Sequence, residues 1–129
     1  MRINDLTLRH EVNSLVAKTL NGSSIYFYSR YDEPLGKIDI PSKCFRQNGP
    51  RTQYRNTSKL ALEFRLPKGT YELYTYKVYR VVNGRRRVML EGYCSHLFGQ
   101  SWAVEDGDTL IIDKDNWTLD LGDFNAEEN

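Results

Sequence analysis

YRVVNGRRRVML, residues 79–90, decides how this chain is read. Two β-favouring runs meet at Asn83-Gly84, and three arginines follow. Both central residues of a type I′ turn need positive φ, which Asn and Gly tolerate best, so this dipeptide predicts a two-residue hairpin. The register then follows by counting. Val82 faces Arg85, Val81 faces Arg86, Arg80 faces Arg87, Tyr79 faces Val88 and Val78 faces Met89. Further down, Lys77 faces Leu90, Tyr76 faces Glu91, Tyr74 faces Tyr93 and Leu73 faces Cys94.

Alternation sorts these residues into two faces. Leu73, Tyr79, Val81, Val88, Leu90 and Cys94 make an expected core face, on which Lys77 and Arg86 intrude. Tyr74, Tyr76, Val78, Arg80, Val82, Arg85, Arg87, Met89, Glu91 and Tyr93 make the other, aromatic at its base and arginine-rich at its tip. Arg80 against Arg87 sets like charges opposite each other, which is destabilising unless an anion or carboxylate relieves it.

Outward from the hairpin, the rest of the 129 residues reads as mainly β. Leu60, Leu62, Phe64 and Leu66 alternate with Ala61, Glu63 and Arg65, the pattern of a half-buried strand. Ile25–Tyr28, Leu35–Ile40, Thr109–Ile112 and Trp117–Leu121 add further strands, with Asp113-Lys114-Asp115-Asn116 as a turn. Leu8, Val12, Leu15, Val16 and Leu20 form an apolar stripe at helical period and predict a helix over 9–20, stopped at Asn21-Gly22. The expected fold is an antiparallel β-sandwich or partly open barrel of about eight strands with one N-terminal α-helix. The length fits one domain over 1–129, with a β-domain at 24–121 and a frayed acidic tail at 122–129.

Residues 46–58, RQNGPRTQYRNTS, lack an apolar period and contain Gly49-Pro50, so they read as the longest loop. Arg46, Arg51 and Arg55 lie in it beside Tyr54, with no acid. The formal charge of +1 hides an asymmetry. Residues 1–94 hold 17 Lys/Arg against 8 Asp/Glu, while 95–129 hold one Lys against 9 Asp/Glu. A basic body thus carries an acidic C-terminal quarter, either as a counterweight packed against it or as a competitor for its ligand.

Tyrosines for stacking and arginines for phosphates are the equipment of single-stranded nucleic-acid binding. The expected function is a non-enzymatic binding module for single-stranded nucleic acid or another polyanion. Arg80, Arg85, Arg87, Arg51 and Arg55 would contact phosphates, and Tyr74, Tyr76 and Tyr54 would stack. Tyr and Arg also dominate protein hot spots, so a protein–protein interaction domain (inhibitor, adaptor or assembly subunit) on the same hairpin is the alternative.

Catalysis finds little purchase. Cys94 and His96 are two apart, but no third group orients a base beside a nucleophile. The acids at 105–115 suit turns, and D-K-D-N-W-T is not a calcium loop, so no metal and no cofactor are expected. Two cysteines, Cys44 and Cys94, beside apolar neighbours read as buried free thiols. Without an apolar leader or an apolar run long enough for a membrane span, a cytoplasmic location is expected.

Overall fold

The computed structural model describes residues 6–48 and 53–119. Arg51 and the acidic segment 122–129 lie outside the described residues.

Helix α1 runs from Leu6 to Leu20. Its buried face is Asn13, Val16, Ala17 and Leu20, spaced i, i+3, i+4, i+7, with Val12 at the margin. Leu15, expected in the core, is 66% exposed. It lies two residues from both Asn13 and Ala17, about 200° around the axis, and points away. A buried asparagine therefore takes a place that an apolar count assigns to leucine. The helix ends on Gly22 at φ 77°, where a residue without Cβ turns at least cost. The side chain of Asn21 then imitates a strand. It accepts from the Phe45 amide at 2.7 Å and donates to the Phe45 carbonyl at 3.2 Å, which ties the helix end to the sheet beyond.

The strands are β1 (Ser24–Tyr28), β2 (Pro34–Asp39), β3 (Phe45–Asn48), β4 (Gln53–Asn56), β5 (Leu60–Glu63), β6 (Tyr71–Leu73), β7 (Thr75–Val82), β8 (Arg85–Tyr93), β9 (Trp102–Val104), β10 (Thr109–Ile112) and β11 (Thr118–Leu119), with a short helix α2 (Cys94–Phe98) after β8. The chain is mainly β, and every strand pair is antiparallel. Four sheets form in the orders β2-β1-β7-β8, β10-β5, β11-β4-β3 and β6-β9.

Eleven described strands against the expected eight have identifiable causes. In the segment 46–58, residues 46–48 and 53–56 are not loop but belong to β3 and β4, which pair with each other under α1. Its apolar period is missing because a fully buried position is filled by Asn56. That side chain donates to the Ser58 and Asp113 carbonyls at 3.0 and 2.9 Å and accepts from the Trp117 amide at 2.9 Å. The expected hairpin strand, read continuously from Leu73 to Val82, divides at Tyr74, so that β6 pairs with β9 while β7 pairs with β1 and β8. Cys94 and His96 open α2 rather than ending a strand.

One apolar cluster joins the sheets. Leu20, Ile25, Phe27, Phe64, Leu73, Val78 and Leu119 are fully buried in it, each contributing about 1.5–3 kcal/mol. Phe98 lies 5.9 Å from Phe27, 5.2 Å from Trp117 and 4.8 Å from Trp102, so α2 plugs one end. Gly36 allows β5 to approach β2, since a Cβ there would stand 3.0 Å from Leu62. Cys44 and Cys94 are both buried free thiols. No helix among the described residues is long and apolar enough to cross a membrane.

Candidate binding surface

The Asn83-Gly84 turn is present, with φ 53° and 76° at its two central residues. The register holds from Val82–Arg85 to Tyr79–Val88. Below that it slips by one, because Met89 is a bulge. Val78 pairs with Leu90, Lys77 with Glu91 and Tyr76 with Gly92. One extra residue turns every lower side chain of β8 to the opposite face.

The faces are corrected accordingly. Val78 is fully buried, and Tyr76 beside it packs on the core, with its ring against Gly92. Burial raises the Tyr76 phenol above its ordinary value. Of the expected core face, Leu73 and Cys94 are buried and Leu90 packs on the core, while Tyr79, Val81 and Val88 lie on the outer face, with Val81 73% and Val88 46% exposed. Lys77 and Arg86, which intrude on a core face, are in their proper place on an outer one.

On this outer face β1 lies beside β7 and contributes Tyr26 and Tyr28, which alternate with the buried Ile25 and Phe27. Arg86 stands 5.1 Å from the Tyr26 ring centre and 4.4 Å from that of Tyr79, and donates to the Tyr26 hydroxyl at 3.1 Å. The two rings meet edge to face at 5.0 Å. Lys77 reaches over Tyr28 and Lys37 over Tyr26. Burial, then the 3.5 Å contact with the Tyr79 hydroxyl, pushes the Tyr28 phenol up to about 12, so it stays neutral at physiological pH. Asp39 beside Lys37 and Glu91 opposite Lys77 are the acids of this surface. The Ser24 hydroxyl, donating to Asp39 at 2.6 Å, holds its carboxyl below the ordinary value.

The tip arginines occupy the side towards α1. Arg80 donates to the Lys18 carbonyl in the last turn of α1 at 3.3 Å, a favourable place for a cation. Arg87, directly opposite, is exposed, as is Arg85. Neither has an ion-pair or hydrogen-bond partner among the described residues. Three of the five acids in 95–119 are occupied elsewhere. Glu105 accepts from Thr70, Asp106 from the Leu66 amide and Asp108 from the Glu105 amide. Within the described chain, the acidic quarter does not neutralise the hairpin.

The remaining site residues fall elsewhere. Tyr74 is half-buried, with the Arg30 guanidinium 4.4 Å above its ring and Tyr93 at 5.3 Å. Glu72 holds that guanidinium at 2.8 Å and raises its pKa. Tyr54 and Arg55 are both half-buried on β4, paired with Gln47 and Arg46, and Tyr54 packs on the core. They do not join the hairpin surface. Tyr26, Tyr28 and Tyr79, the rings that do share a surface with cations, are absent as a group from the sequence reading. The alternation of Ile25 and Phe27 with Tyr26 and Tyr28 is the available signal, but the pairing of β1 with β7 is not legible in it.

Cys94 is buried, and that burial pushes its thiol up to about 12. His96 is exposed and lies edge-on to Tyr93 at 5.6 Å. A thiol held protonated is a poor nucleophile, so this pair does not assemble one. A cleft of about 470 Å³ lies at α2, lined by Phe98, Trp102 and Trp117 among others, and none of its residues belongs to the hairpin. No group of His, Cys, Asp and Glu suited to a metal ion occurs among the described residues.

Comparison with models of protein families, with curated proteins and with solved structures returns no match for this chain.

Proposed function

We propose that this chain is a non-enzymatic binding module whose β7–β8 hairpin takes single-stranded nucleic acid or another polyanion. The observation that carries the reading is the exposed pair Arg85 and Arg87, without partners among the described residues and continuous with the Tyr26–Arg86–Tyr79 cluster. Lys37, Lys77 and Arg86 share the outer face with Asp39 and Glu91, and Arg80, Arg85 and Arg87 add cations on the side towards α1, so these two faces carry six cations against two acids. Such a surplus gathers phosphates and releases counterions on binding. Tyr26 and Tyr79 replace Tyr74 and Tyr76 as stacking groups, and Arg86 joins Arg85 and Arg87 as a phosphate contact. Arg80, with one donor on the helix end, is the weaker contributor.

Fluorescence anisotropy of labelled single-stranded oligonucleotides, at low and at physiological salt, tests this. Binding weakens steeply with salt. The double variant Arg85→Ala/Arg87→Ala loses affinity on the order of tenfold at low salt and flattens the salt slope by about two. Equal affinity in wild type and double variant would sink the reading.

The exposure of Val81, Val88 and Met89 beside the arginines favours a second reading, a protein-interaction surface. It predicts a saturable complex with a folded partner that survives physiological salt.

A further inference from the structure

The hairpin has an open backbone edge as well as side chains. β8 is the outermost strand of its sheet, and no described strand pairs with its far side. In an antiparallel ladder, opposed residues alternate between pairs that exchange hydrogen bonds and pairs that do not. A type I′ turn makes the flanking pair, Val82 and Arg85, a bonded one. Arg80–Arg87 is then bonded too, while Val81–Arg86 and Tyr79–Val88 are not. The backbone N–H and C=O of Arg86 and Val88 therefore point outwards, away from β7.

The same edge refuses a copy of itself near the tip, where Arg85, Arg86 and Arg87 would meet further arginines. The Met89 bulge interrupts the flat run below, and Glu91 repels acids there. What remains is a four-residue edge, 85–88, with cations on both faces and one apolar side chain. The repulsion sets specificity as much as the attraction does.

We infer that this edge accepts an extended acidic peptide segment as an added antiparallel strand. Its order is one apolar residue opposite Val88, then acids opposite Arg87, Arg86 and Arg85. The backbone of the segment bonds to Arg86 and Val88, and its carboxylates meet guanidiniums alternately on the two faces. This rests on the hairpin being the binding surface but adds a mode that nucleic acid cannot use.

The probe is a fluorescein-labelled Thr-Val-Glu-Glu-Glu-Thr peptide, with a Gln-for-Glu version as control. The key variant is Val88→Pro, which removes an outward N–H, leaves every charge in place and spares the β7–β8 bonds. The acidic peptide binds the wild type, the Gln version binds about tenfold more weakly, and Val88→Pro loses about tenfold. In the wild type, where folding of the variant is not in question, the Arg86 and Val88 amides become protected from hydrogen exchange when the peptide is added. Oligonucleotide affinity stays unchanged in Val88→Pro. Peptide binding without amide protection, indifferent to Val88→Pro, overturns the added strand and leaves the polyanion reading intact. Absence of peptide binding overturns the inference as well.

Discussion

Two hairpins in this molecule set an arginine directly against an arginine, and they resolve the conflict differently. In β3–β4 the pair is Arg46 and Arg55, and in β7–β8 it is Arg80 and Arg87. The first hairpin is built into the body. Asn21 clamps Phe45, Asn56 pins the 113–117 turn, and α1 lies on top. The second is anchored at its base by Val78 and Leu90 and by the pairing of β1 with β7, and beyond the Met89 bulge all of β8 up to the turn is exposed. There one arginine finds the end of a helix and the other is left to solvent. Polar residues tied into hydrogen bonds within the body, such as the half-buried Asn21 and the buried Asn56, hold a fold together, while polar residues on an exposed ribbon are free to meet a partner.

The difference is sharpest at Asn56. Asn56→Ala strands the Trp117 amide and two carbonyls and should cost about 3 kcal/mol or more, read as a fall in urea midpoint. Arg85→Ala/Arg87→Ala should stay within about 0.5 kcal/mol of wild type by the same measurement. Comparable losses in both would erase the contrast.

The next effect is alkaline. The Cys94 thiol ionises at about 12 in the fold against 9.0 ordinarily. Between those values the unfolded chain releases a proton that the folded chain keeps. This stability is present below pH 9 and drains away as pH rises towards 12, roughly 2–3 kcal/mol of it by about pH 11. Tyr28, raised from 10.0 to about 12, adds a smaller slope of the same sign. Thermal melts from pH 8 to 11 should show the decline, and Cys94→Ala should flatten it. An equal slope in the variant would remove Cys94 from the account.

The smallest effect separates the two members of one pair. Arg80→Ala should cost about 1 kcal/mol through the lost contact with the α1 carbonyl. Arg87→Ala should be neutral or stabilising by a few tenths, since it relieves the opposed charge. A reversed order would mean that Arg80 is not held by the helix end.

A good part of the fold is legible in neighbouring residues. The Asn83-Gly84 turn, the alternation of Leu60 to Leu66 and the helix stop at Asn21-Gly22 are local features, and local chemistry is written in adjacent positions. The hidden parts are those that distant groups create. Asn13 and Asn56 are fully buried, so an apolar count steps past both, and Asn56 is held there by bonds to Asp113 and Trp117. Met89 bulges out of a ladder whose partner residue Val78 lies 11 positions back in the chain.

Spacing and φ preferences within single segments thus suffice for a mainly antiparallel chain with an N-terminal helix, for a basic hairpin with a type I′ turn, and for the like-charge pair at its tip. Long-range contacts determine the rest: which hairpin face meets water, which tyrosines stand beside Arg86, and which arginine is spent on a helix end. Those outcomes turn on a single-residue bulge and on strands from elsewhere in the chain, and a period of two makes every side-chain direction reverse with one residue of slip.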